Sequence, residues 1–135
     1  MGLLGHKTVI ASDLAEARQL EDSLLAAVES HRYSESAKFA IKLAVEEALI
    51  NAIKHGNRRD PGKTINVQYD INADKAIIVI ADQGAGFDLK AVPDPIADEN
   101  LEKPSGRGLM LMRAYMDEVR YNDKGNEVYM MKLNR

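Results

Sequence analysis

A chain of 135 residues with a formal net charge of −3 fits one globular domain, and its Leu, Ile, Val and Ala supply ample core. The acidic balance argues against nucleic acid or an anionic membrane as the main partner. The lack of cysteine excludes disulfides, thiolate chemistry and Cys-based zinc sites. The opening MGLLGHKTVIASD has no apolar core behind basic residues, so no signal peptide is expected. His6 stands where a myristoylation pattern needs Ser or Thr, and no apolar run approaches a membrane span. A cytoplasmic protein of one domain, residues 1–135, is the expectation.

In chain order, Lys7 to Ala11 is short and β-prone, a first strand. Ser12 or Asp13 caps a helix from about Leu14 to Glu29, with Glu16 in its first turn and Leu14, Ala17, Leu20, Leu24 and Val28 inward. His31 to Tyr33 is a turn. Ser34 then caps one long helix that Gly56 ends. Ile41, Ala44, Val45, Ala48, Leu49 and Ala52 make its apolar stripe. Asn57 to Lys63 is punctuated as a turn by Asp60, Pro61 and Gly62.

Thr64 to Ile71 alternates apolar and polar residues, as a strand with one wet face does. Asn72 to Asp74 connects it to Lys75 to Ala81, apolar on both faces and read as a central strand. That strand delivers the chain to Asp82, Gln83, Gly84, Ala85, Gly86 and Phe87. Residues 88–105 are polar, carry Pro93, Pro95 and Pro104 and lack periodicity; so long a loop tends to be functional, for example as a lid. Gly106, Arg107 and Gly108 open a helix from about Leu109 to Met116. Two strands, Glu118 to Asn122 and Glu127 to Leu133, close the chain around a hairpin turn. This order predicts an α+β fold: a two-layer sandwich with a mixed, mostly antiparallel sheet and helices on one face.

Three stretches carry chemistry. On the long helix Glu47, Asn51 and His55 are four residues apart and share a face, whereas Glu46 is rotated by roughly 140° from Asn51. Asn disfavours helix interiors, so an Asn one turn beyond a Glu suggests a polar pair in a pocket; a plain helix surface is the bland reading. Asp82 at a strand end can accept from an amine donor such as the exocyclic N6 of adenine, and Gly84 and Gly86 let backbone approach a flat ligand. A tight turn after a strand explains the same residues equally well. Gly106 and Gly108 present backbone N–H groups at a helix start, where an anion is favoured, and Arg107 there serves phosphate or solvent.

Other phosphate signatures fail. The P-loop pattern is missing, and the third glycine of a dinucleotide fingerprint would fall at Leu89. His6, His31 and His55 lack zinc-ligand spacing, and His55 reads better as a cation at a helix C-terminus. No Ser/His/Asp constellation emerges.

Together, in this order and spacing, the three stretches resemble the GHKL (Bergerat-fold) ATP-binding superfamily of gyrase, MutL and the histidine kinases. EEALINAIKHG, ADQGAGF and SGRGLMLM look most like the bacterial anti-sigma factor serine/threonine kinases of the RsbW and SpoIIAB type. The resemblance implies roles residue by residue. Glu47 matches the general base that activates the attacking hydroxyl, and Asn51 the Mg²⁺ ligand that bridges metal to ATP. Asp82 matches the adenine-reading carboxylate, with Gly84 and Gly86 against the base. Gly106, Arg107, Gly108 and Leu109 match the second glycine motif, where the lid of about residues 88–105 closes on phosphate. One residue departs: the family carries Thr where this chain has Asn126. Asn126 can also hydrogen bond, so ATP binding is expected to survive with the adenine-side water network in doubt.

A chain of this length leaves no room for the phosphorylated-His domain of a histidine kinase or the lysine-supplying domain of gyrase. The resemblance therefore implies a protein kinase that uses Mg-ATP on a serine or threonine of a STAS-domain anti-anti-sigma antagonist. It further implies sequestration of a sigma factor in a partner switch that regulates transcription, as a homodimer. The alternative is an ATP-binding module that holds a partner without phosphoryl transfer; a free-standing phosphotransfer partner or ATPase with no sigma factor is a third reading.

Overall fold

The structure, a computed structural model, describes residues 5–57, 60, 62–84 and 106–135; of residues 55 and 106–109 it describes the backbone only. The elements run β1 (His6–Ala11), α1 (Leu14–Ser30), α2 (Glu35–Asn51), a π turn (Ala52–Gly56), β2 (Thr64–Ile71), β3 (Lys75–Ala81), α3 (Gly106–Tyr115), β4 (Glu118–Tyr121) and β5 (Glu127–Leu133). Both long helices start where a side chain satisfies orphan N–H groups. Asp13 accepts from the amides of Ala15 and Glu16, and Ser34 from that of Ala37. Glu16 reaches back to the amide of Ala11 at 3.0 Å, fixing the strand-to-helix corner.

The strands lie in the order β1-β2-β3-β5-β4. All four pairings are antiparallel, so among the described residues the sheet is more uniform than the mixed one expected. β3 is central, as its apolar run predicts. Its inner residues Ala76, Ile78 and Ile80 are buried, whereas Ile77, Val79 and Ala81 on the other face are only partly covered. Among the described residues, helices cover one face only. α2 packs between α1 and α3 and rests on β3 and β5, while α1 covers β1 and β2. The core joins Leu24 and Val28 of α1, Ile41, Val45 and Leu49 of α2, and Met112 of α3 to Ile65, Val67, Ile78 and Met130 of the sheet.

Three expectations are corrected. Leu14 is 55% exposed: as the first residue of α1 it lines the open groove between α1 and α2, not the core that takes Leu20. The central helix is not α-helical to Gly56; it widens into the π turn after Asn51, and the amide of Asn57 closes that turn on the carbonyl of Ala52 at 2.7 Å. The glycine motif at 106–108 does not precede α3 but forms its first turn.

Candidate functional site

The site forms where the end of α2, the exit of β3 and the β4–β5 hairpin meet. Glu47 and Asn51 are one helical turn apart on α2, and both are half-buried. Burial raises the Glu47 carboxyl above its ordinary range; the neighbouring Glu46 charge adds to this and Lys54 opposes it. Among the described residues no ion pair holds Glu47. A half-buried carboxylate without a cation has the character of a proton acceptor poised for use.

Single π turns inside α-helices are frequent at functional sites. Here the turn carries Gly56 against β3. A Cβ on Gly56 would run into the Asp82 carboxylate, and a Cβ on Gly84 would fall on the Gly56 carbonyl. The two glycines are therefore demanded by close approach of two segments. Gly56 does more than end a helix: it makes room for the residue expected to read a base.

Asp82 is held from both sides. Its amide donates to the Asn126 carbonyl at 2.9 Å, and its Oδ1 accepts from the Gly84 amide at 2.7 Å. Burial raises its carboxyl, while the Gly84 N–H and Lys63 act in the opposite direction. Asn126 Nδ2 donates to the Gly84 carbonyl at 3.3 Å, so the residue that departs from the family pattern braces the glycine loop. Asn122 fixes Asn126 in turn, through 2.8 Å between their side chains and 3.0 Å to the Asn126 amide.

Three residues were missed in the sequence. Asn57 is fully buried; its Nδ2 donates to the Thr64 carbonyl at 3.0 Å and its Oδ1 accepts from the Gln83 amide at 2.8 Å. It stitches the π turn to β2 and to the loop after Asp82. Tyr121, the last residue of β4, lies within reach of the Asn51 side chain. Burial pushes its phenol up to about 12, opposed by the Asn51 side chain and Arg113 and reinforced by Asp82 and Glu47. Tyr121 thus lies within electrostatic reach of both site carboxylates and of Arg113 on α3. The alternation of β4 was a usable signal for Tyr121; no local pattern marks Asn57 or Arg113.

The backbone of Gly106 and Gly108 lies in the first turn of α3, where N–H groups lack intrahelical partners and suit an anion. The side chains of Arg107 and Leu109, and Gly86 and the lid at 88–105, lie outside the described residues. Among the described residues no group of three or more His, Asp or Glu could hold a metal. The donor set nonetheless fits Mg²⁺ that arrives with phosphates, since this ion keeps waters and needs few protein oxygens. The half-buried Asp82 carboxylate, with backbone of Gly56 and Gly84 packed against it, offers an acceptor of the kind an adenine amine needs.

No described helix is long and apolar enough to cross a membrane. The family model described as histidine kinase-like ATPase domain matches residues 10–132. Among curated proteins the chain is 34% identical over 99 residues to a serine-protein kinase RsbW of Listeria innocua, covering 68% of the chain and 63% of that protein. It is 37% identical over 99 residues to the RsbW of Staphylococcus aureus, covering 67% of the chain and 62% of the relative. The chain thus spans about three-fifths of the length of the relatives it matches. Among solved structures it resembles the RsbU and RsbW domains of a Mycobacterium tuberculosis protein, with a TM-score of 0.58, 15% identity, and coverage of 96% of this chain and 32% of that one. The motif order, the fold and the family match agree: the chain belongs to the histidine kinase-like ATPase domain family.

Proposed function

We propose that this chain, acting as a single domain, binds Mg-ATP and transfers the γ-phosphoryl group to a serine or threonine of a partner protein. The observation that carries the reading is the half-buried Glu47, in no ion pair among the described residues, one turn before Asn51 on the helix end that abuts Asp82. Asp82 accepts from the adenine amine, in a position that the close approach of Gly56 and Gly84 fixes. Asn51 offers its amide oxygen to the metal, and the first turn of α3 offers N–H groups to phosphate. Mg²⁺, when bound, supplies neutralisation of phosphate charge. Glu47 takes the proton of the attacking hydroxyl as its oxygen bonds to the γ-phosphorus and the bond to the β–γ bridging oxygen breaks, releasing ADP.

The relatives' name, serine-protein kinase RsbW, supports serine as the acceptor, and the motif resemblance points to a STAS-domain antagonist as the phosphorylated partner and a sigma factor as the sequestered one. On this reading the chain works in the cytoplasm as a homodimer and switches between the two partners. The test is transfer of labelled phosphate from ATP to STAS-domain proteins encoded by the same genome. Transfer to one serine, lost in Glu47→Gln, supports the kinase. ATP binding with no transfer to any of them transfers the case to a holding module.

A further inference from the structure

At the end of the β2–β3 ladder a side chain stands where a backbone bond is due. The strands pair as far as Asn66 opposite Ala81, and the same register sets Thr64 opposite Gln83. At the hairpin end the Asn72 amide donates to the Lys75 carbonyl. Hydrogen-bonded pairs recur at every second residue of an antiparallel ladder, so Thr64 and Gln83 fall on such a pair. Among the described residues no backbone bond joins them. The Gln83 amide donates instead to Asn57 Oδ1 at 2.8 Å, and Asn57 Nδ2 donates to the Thr64 carbonyl at 3.0 Å. The Thr64 amide turns to Gln83 Oε1, also at 2.8 Å.

A carboxamide carries the acceptor and the donor of a peptide group. Asn57 is therefore inserted between the two strands as an extra peptide would be, and its width holds them apart. Its own backbone is engaged too, the amide on the Ala52 carbonyl at 2.7 Å and the carbonyl under the Asp60 amide at 3.0 Å. Fully buried, it leaves no polar group unsatisfied.

The chain parts from the sheet at this wedge, and Asp82 stands there. The Asp82 amide is drawn to the Asn126 carbonyl, the Gln83 amide to Asn57, and the Gly84 amide turns back on Asp82 Oδ1 at 2.7 Å. Three consecutive amides thus have three fixed acceptors. Oδ1 of Asp82 is spent on its own loop, and Oδ2 accepts no hydrogen bond among the described residues.

We propose that Asn57 is the positioning residue of base selection: wedged between Gln83 and Thr64, it orients the segment 82–84 so that Asp82 Oδ2 is the acceptor left for the base amine. The inference rests on the proposed Mg-ATP reading. Asn57 acts through Asp82 and needs no contact with the nucleotide.

The test compares ADP and GDP affinities of wild type and variants, at a temperature where thermal melts show each of them folded. Asn57→Ala is expected to lose roughly three- to tenfold of the preference for ADP over GDP. Asn57→Asp keeps an acceptor for the Gln83 amide, so its preference is expected to stay within about twofold of wild type, whatever stability it loses. In the Asp82→Asn background Asn57→Ala is expected to change the ratio no further, because its target is gone. If Asn57→Ala does not fold, Asn57→Ser, whose hydroxyl stops one bond short of both partners, is read in its place. Equal losses of ADP and GDP affinity would make Asn57 a purely structural residue and overturn the inference. So would a preference lost as fully in Asn57→Asp as in Asn57→Ala. If Asp82→Asn keeps the wild-type ratio, the adenine reading of Asp82 fails first and takes the role of Asn57 with it.

Discussion

Glu46 and Glu47 are consecutive residues of α2, yet roughly 100° of helix rotation sends them into different regions. Glu46 enters the groove between α1 and α2, lined also by Leu14, Arg18, Glu21 and Leu49. There Lys42 Nζ holds it at 2.6 Å, and this contact keeps its carboxyl below the ordinary range. Glu47 enters the cleft with Asn51, Tyr121 and Asp82, where burial raises its carboxyl. Charge alone does not separate the two residues. Satisfaction does: a carboxylate already paired with a lysine is committed to the fold, and one left half-desolvated, with no ion pair among the described residues, can take up a proton during a reaction.

The largest expected effect breaks this contrast at its centre. Glu47→Gln should lower phosphoryl transfer by about 10²- to 10⁴-fold while Mg-nucleotide affinity stays within a few-fold. Glu46→Gln should leave transfer within about twofold. Equal losses in a labelled-phosphate assay would show that the two carboxylates are not functionally distinct. Gly56→Ala comes next. Its Cβ meets the Asp82 carboxylate, so the π turn and the loop after β3 must part, at about 1–3 kcal/mol in a chemical melt and with loss of nucleotide binding. Adding Asp82→Ala should restore stability but not binding, since the clash is relieved and the base acceptor is lost. Asp82→Asn by itself should erode the preference for ATP over GTP by roughly tenfold, because guanine offers a carbonyl where adenine offers an amine. An unchanged ratio in competition binding removes Asp82 from the base.

Much of this cleft was legible in the sequence because its parts are local. Caps at Asp13 and Ser34, the alternation of β2 and the apolar run of β3 are each written within a few residues. Glu47 and Asn51 are one turn apart on a helix that periodicity already marks. What escaped notice joins segments far apart in the chain. Asn57 looks like one more turn residue until its partners at Thr64 and Gln83 are seen. Gly56 looks like a helix stop until Asp82 lies against it. Tyr121 needs the register of three strands to be placed on the helix-facing side of the sheet. The π turn was unreadable for another reason: it trades one hydrogen-bond spacing for the next with no change of residue type.

The smallest expected effect sharpens the contrast from the other region. Glu21 is buried, 8% exposed, against Glu46. Burial first, and then the Glu46 charge and hydrogen bond, push its carboxyl from 4.5 up to about 7, with Lys42 opposing and Asp22 adding a little. The shared proton therefore resides on Glu21, and Glu46 keeps its charge for Lys42. Below pH 4.5 Glu21 is protonated both folded and unfolded, so it costs nothing. Between 4.5 and about 7 the folded chain holds a proton that the unfolded chain has released, and stability falls as pH rises. Above that range both states are ionised and the cost of the buried charge is complete. Glu21→Gln keeps a donor for Glu46 and removes the titration. Its melting temperature should match wild type near pH 4.5 and exceed it at pH 8 by about 4 °C, for roughly 1 kcal/mol in a groove open to water. Nucleotide affinity should not change, because among the described residues no hydrogen bond or ion pair joins Glu21 to the cleft. A pH-independent difference would mean that Glu21 is never protonated at neutral pH, and that the groove is as plainly charged as its sequence looks.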